Sequence, residues 1–92
     1  MARKRVRVVV SGDVQGVGFR WFTREQAMHR HLTGSVRNLH DGSVEAVFEG
    51  DCSNVDDMVA WCRHGPRMAT VQDVTVTEES LSAGDSGFRI LQ

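Results

Sequence analysis

Arg20 ends a stretch, Gly12-Asp13-Val14-Gln15-Gly16-Val17-Gly18-Phe19-Arg20, whose residue types suit the holding of an anion. A basic, β-branched run from Arg5 to Val10 precedes it and reads as a strand, and Trp21 to Met28 follows and reads as a helix. The stretch is therefore a strand-to-helix loop. Its three glycines allow left-handed or otherwise strained backbone angles, so that successive NH groups can converge on one concave spot. The helix behind adds its unpaired first-turn NH groups and the positive end of its dipole, and Arg20 adds a guanidinium fork. A phosphate suits such a place. On spacing alone, a tight turn with a solvated arginine explains the same residues.

Other chemistries find less support. The loop lacks the Lys-Ser/Thr of a Walker A motif after Gly18, and Gly16-Val17-Gly18 lacks the third glycine of a dinucleotide fingerprint. His29 and His31 are two apart, so on a helix they point to different faces and make a poor metal pair; both are expected in solvent. Cys62 falls on an apolar helical stripe and reads as a small buried hydrophobe rather than a nucleophile.

The elements that must position this loop fit within 92 residues, enough for one domain, 1–92, around one core. The net charge of -1 conceals a division. Residues 1–40 carry eight Lys/Arg against two Asp/Glu, and residues 41–92 carry three against ten. Such a polarised chain favours a small anionic ligand near the basic half over a long nucleic-acid track. If Cys52 and Cys62 share a helix, their ten-residue separation is a rise of about 15 Å, out of reach of a disulfide. No CxxC spacing, secretory leader or membrane-length apolar run is present, so a cytoplasmic setting without membrane contact is expected.

A first helix is expected from about Arg20 to Arg30, with Trp21, Ala27, Met28 and Leu32 as its core stripe. Thr33 to His40 and Ser43 to Gly50 read as two strands joined at Asp41-Gly42, a strong hairpin signal. In the second of these, Val44, Ala46 and Phe48 alternate with Ser43, Glu45, Val47 and Glu49, predicting one covered face and one wet face. A second helix is expected from near Ser53, acting as its cap, with Val55, Met58, Val59 and Cys62 inward and Gly65-Pro66 ending it. Thr70 to Thr77 gives a fourth strand, 82–86 a loop, and Gly87 to Leu91 a short last strand.

The order β-α-β-β-α-β predicts an α+β fold of the ferredoxin-like split βαβ kind. Its two helices lie on one face of an antiparallel sheet, with a short extra terminal strand. In that topology strands one and three are central neighbours and strand two lies beside strand three. Arg20 and Asn38 can then share a site.

With both segments placed, the sequence resembles the acylphosphatases, small cytosolic enzymes that hydrolyse the carboxyl–phosphate bond. The family signature G-x-V-Q-G-V-x-F-R is matched at every fixed position from Gly12 to Arg20, and Gly34, Val36, Arg37, Asn38, Gly42, Val44 and Gly50 fit the second signature. Gly65-Pro66 and Phe88-Arg89-Ile90 match late family features. The resemblance implies that the backbone NH groups of Gln15, Gly16, Val17, Gly18 and Phe19, with the Arg20 side chain, hold phosphate, and that Asn38 places the attacking water. Acyl phosphate has a good leaving group, so holding the phosphoryl oxygens and aiming one water for in-line attack suffices. No metal or other cofactor is then required, and the expected partners are an acyl phosphate, inorganic phosphate or another anion, bound by a monomer.

Two residues depart from the family pattern. Ser35 stands in place of a bulky aromatic, and His31 in place of a helix-ending glycine, where a left-handed residue carries strain. Asp13, at a free position of the loop, is expected to face solvent. Two alternatives compete with hydrolysis: an anion-binding or interaction module on the same fold, and an RNA-binding module of the same topology. The latter needs exposed aromatics on the central strands, where Gly42 to Gly50 offers only Phe48.

Overall fold

Alternating valine and arginine shape the first strand, β1 (Arg3–Asp13), in a computed structural model that describes residues 2–82 and 86–92. Val6, Val8 and Val10 are buried on one face, while Arg3, Arg5 and Arg7 fall on the other. Helix α1 (Phe19–His29) follows, then the hairpin of β2 (Thr33–Asn38) and β3 (Val44–Asp51), helix α2 (Cys52–Cys62), β4 (Thr70–Glu79) and β5 (Phe88–Ile90). The sheet order is β4-β1-β3-β2-β5, so β1 and β3 are central and β2 lies beside β3, as the topology requires. All pairs are antiparallel except β2 with β5, which run parallel; the sheet is mixed rather than wholly antiparallel. The loop expected at 82–86 falls largely on 83–85, outside the described residues. No helix among the described residues is long and apolar enough to cross a membrane.

The phase of α1 differs from the expected one. Its buried residues are Phe19, Thr23 and Ala27, one turn apart, with Leu32 buried just past its end. Trp21 and Met28 lie outside that stripe and are 53% and 49% exposed. The helix begins at Phe19, whose ring packs against Trp61 of α2 at 5.6 Å, and this contact turns Trp21 outward. The stripe of α2 is as expected, with Val55, Met58 and Cys62 buried and Val59 half-buried. Its cap is not Ser53. Asp51 holds the cap position with an extended backbone (φ -55°, ψ 138°), and the Cys52 NH donates to the Ala2 carbonyl at 3.0 Å, so a backbone acceptor replaces the expected hydroxyl. Asp56, in the first half of α2, pairs with Lys4 Nζ at 2.6 Å.

The face expected to be wet is largely roofed. Arg5 reaches Glu49 at 3.1 Å, Arg7 reaches Glu45 at 3.0 Å and Glu79 at 2.7 Å, and Arg37 reaches Glu45 at 2.9 Å. The Ser82 NH donates to Glu49 Oε1 at 2.9 Å, and Glu49 and Val47 end up 5% and 6% exposed. Much of the charge division between the chain's halves is thus spent inside this ion-pair lattice.

The end of α1 carries the strain its sequence predicts. The His31 NH donates to Met28 and the Leu32 NH to Ala27, a paired helix-ending pattern, and His31 sits at φ 56°, the one non-glycine residue at positive φ among those described. Its side chain and that of His29 are exposed. Ser35 is half-buried between Val47 of β3 and Arg89 of β5 in register.

Candidate active site

The register of β1 against β4 shifts between Ser11 and Gly12, and Asp13, exposed, ends the strand. Val14 then dives into the core, and Gly16 (φ 76°) and Gly18 (φ 79°) turn the chain through left-handed angles that no β-carbon would tolerate comfortably. Gly18 is also the N-cap of α1: its carbonyl accepts from the Phe22 NH at 3.0 Å. No side chain caps this end, and no acidic residue lies in the first turn. The positive end of the helix is left open to an external anion.

Gln15 fixes this loop to the hairpin. Its Nε2 donates to the Leu39 carbonyl at 2.7 Å and to the Ser43 carbonyl at 2.8 Å, so one amide ties the loop to both ends of the hairpin turn beside Asn38. Ser43 is held in turn by Asp41, whose Oδ1 accepts from the Ser43 NH at 3.0 Å and from its hydroxyl at 2.5 Å. These bonds hold the Asp41 carboxyl below its ordinary value of 3.8.

A cavity of about 200 Å³ opens where these parts meet. Val14, Gly16, Gly18 and Phe19 form its loop side, and Arg20 and Asn38 both line it, although they come from α1 and the far end of β2. Of the expected loop set, Gln15 and Val17 do not line it: the Gln15 amide faces the hairpin, and Val17 packs against the core. Arg20 is half-buried and has no carboxylate partner among the described residues, in contrast to Arg3, Arg5, Arg7 and Arg37. Its charge is available. Asn38 likewise has no side-chain hydrogen bond within the described protein, which leaves both ends of its amide for solvent or ligand.

Two lining residues escaped the sequence reading. Trp21, expected in the core, and Ile90, expected only as part of a closing strand, both stand on the cavity wall. Taking Phe19 as the first helical residue places Trp21 outward, and that signal was present in the sequence. The role of Ile90 depends on the parallel pairing of β5, which no local pattern announces. Elsewhere, burial pushes the Cys62 thiol up to about 12, so it is a packed hydrophobe and no thiolate at neutral pH. Phe48 is fully buried and stacks on Phe88 at 5.6 Å, so β3 offers no aromatic platform for RNA.

The acylphosphatase family model matches residues 6–90. The chain is 56% identical over 87 residues to the acylphosphatase of Rubrobacter xylanophilus, covering 95% of this chain and 79% of that one. With the acylphosphatase of Pelotomaculum thermopropionicum it shares 50% identity over 90 residues, 98% of each chain. Its backbone superposes on the crystal structure of acylphosphatase from Bacillus subtilis with a TM-score of 0.93 at 37% identity, covering 97% of this chain and 99% of that one.

Proposed function

The chain belongs to the acylphosphatase family and is an acyl phosphate hydrolase, and from that premise we propose how its residues divide the work. The loop 15–19 and Arg20 hold the phosphoryl group, and Asn38 orients the water. The observation that carries this reading is the single cavity lined by Gly16, Gly18, Arg20 and Asn38.

In the reaction, a water oxygen attacks phosphorus opposite the acyl oxygen. The P–O bond to the acyl group breaks, its electron pair leaves with the carboxylate, and the water's proton passes to a phosphoryl oxygen, giving dihydrogen phosphate. Backbone NH groups and the Arg20 guanidinium, aimed at oxygens whose charge rearranges in the transition state, supply the electrostatic stabilisation. The Asn38 carboxamide accepts from the water and sets its line of approach without taking its proton. Inorganic phosphate, being the product, competes for the same loop. Cys52 and Cys62 are free and sit at opposite ends of α2, in keeping with a cytoplasmic enzyme.

The test is hydrolysis of benzoyl phosphate, followed by loss of its ultraviolet absorbance, for wild type, Arg20→Ala and Asn38→Ala with chelator present. Each substitution is expected to lower the rate by on the order of 10²-fold with the fold intact by circular dichroism. Unchanged rates in both variants would sink the assignment of roles.

A further inference from the structure

We propose that Trp21 and Ile90 form the acyl-side wall of the cavity and make the enzyme select acyl phosphates with a flat or bulky apolar acyl group, aroyl phosphates above all, over acetyl phosphate. This rests on the reading that Gly16, Gly18 and Arg20 take the phosphoryl end.

Trp21 is 53% exposed and Ile90 39% exposed, and single exposed apolar side chains need no explanation by themselves. These two differ because they line the same cavity as Arg20 and Asn38. Each is also held in place. The Trp21 ring meets Phe22 edge to face at 5.0 Å and 87°, and Ile90 is paired with Val36 in the parallel ladder, two residues before Asn38. Trp21 follows Arg20 directly in α1. The cavity therefore has a polar, cationic side and an apolar side fixed one or two residues from it.

An acyl phosphate has the same division. With its dianionic end against the loop and Arg20, its acyl carbon leaves toward the walls that remain, which are Trp21 and Ile90. An indole face beside a planar acyl group gains dispersion and buries apolar area on both partners, whereas an acetyl group is too short to cover the ring. Ile90 also borders a second, separate cavity of about 420 Å³, lined besides by Arg24, Phe88, Arg89 and Leu91, so its outer side is not packed solid.

The contact is present in ground and transition states alike, so its loss appears mainly in KM and in the ratio of kcat/KM for benzoyl phosphate to that for acetyl phosphate. Trp21→Ala is expected to lower that ratio about tenfold and Trp21→Phe to restore most of it. Ile90→Ala is expected to lower it about threefold. Met28→Ala, which removes an equally exposed apolar side chain of α1 outside this cavity, is expected to leave it unchanged. Equal losses on both substrates in Trp21→Ala, or a matching fall of the ratio in Met28→Ala, would overturn the inference and leave the phosphoryl-side reading standing. No hydrolysis of either substrate by folded wild type would overturn both.

Discussion

Replacing Gln15 by Ala tests whether the phosphate loop and Asn38 act as one rigid unit. The substitution deletes two hydrogen bonds of 2.7 and 2.8 Å made by a single amide. At about 0.5–1.5 kcal/mol each, they amount to about 1–3 kcal/mol. The lower half of that range applies, because neither carbonyl is orphaned: Leu39 O still accepts from the Gly42 NH at 3.2 Å and Ser43 O from the Leu39 NH at 2.8 Å. The loop hangs from β1, paired on both sides, and the hairpin is held by its own ladder, so neither falls apart without the amide. What is lost is their relative placement. A loss of about 1–2 kcal/mol from the transition state alone gives roughly 5- to 30-fold in kcat/KM, with melting lowered by only a few degrees. Gln15→Glu is sharper still, since an ionised carboxylate donates nothing and faces two carbonyl oxygens. Its activity is expected to fall further and to recover in part as pH drops and the carboxyl gains a proton to donate. The assay is steady-state hydrolysis of benzoyl phosphate beside thermal melts of the same samples. A Gln15→Ala enzyme within twofold of wild type would refute the reasoning, as would an activity loss that disappears once the unfolded fraction is subtracted.

Further outcomes follow from residues away from the chemistry. His31→Gly removes a non-glycine residue from φ 56° and is expected to stabilise the fold by about 1 kcal/mol, visible as a melting rise of about 4–8 °C; a fall would show that the imidazole makes an offsetting contact. Thr23 is fully buried with a hydroxyl that has no partner among the described residues, so Thr23→Val is expected to gain about 1 kcal/mol in denaturant unfolding with kcat unchanged. Because Asp41 titrates below its ordinary value in the fold, its stabilisation is present above about pH 3.8 and is lost as pH falls through the lowered value. Melts from pH 7 down to pH 3 are expected to fall more steeply for wild type than for Asp41→Asn, and parallel curves would remove Asp41 from the acid limb.

The elements and their order were legible because each rests on local pattern: valine alternation in β1, Asp41-Gly42 between two β-branched runs, and the four-residue steps of α2. The meeting of Arg20 with Asn38 followed from topology alone, since strand order places the end of β2 near the loop after β1. The phase of α1 is not legible from side-chain size, because Trp21 and Met28 are large and apolar yet lie off the buried stripe that Phe19 begins. Ser53 was a sound cap by type, but the strand before α2 runs to Asp51 and a backbone carbonyl from Ala2 took over the role. The roofed face of the sheet depends on arginine from β1 meeting glutamate from β3 and β4, and such long-range pairing leaves no periodic trace. Gln15 was legible as a member of the loop; that its amide ties down the hairpin was not.

The two sides of the cavity are anchored to very different degrees. The loop side grows out of β1, which is laddered along both edges, whereas Ile90 belongs to a three-residue strand joined to the sheet along one edge only. Backbone amides of β1 are therefore expected to exchange with deuterium only on global unfolding, and those of β5 through small local openings. A catalyst built this way grips the invariant half of its substrates on its stiffest backbone, while the wall that meets the variable half pairs a helix-borne indole with a strand that opens more readily.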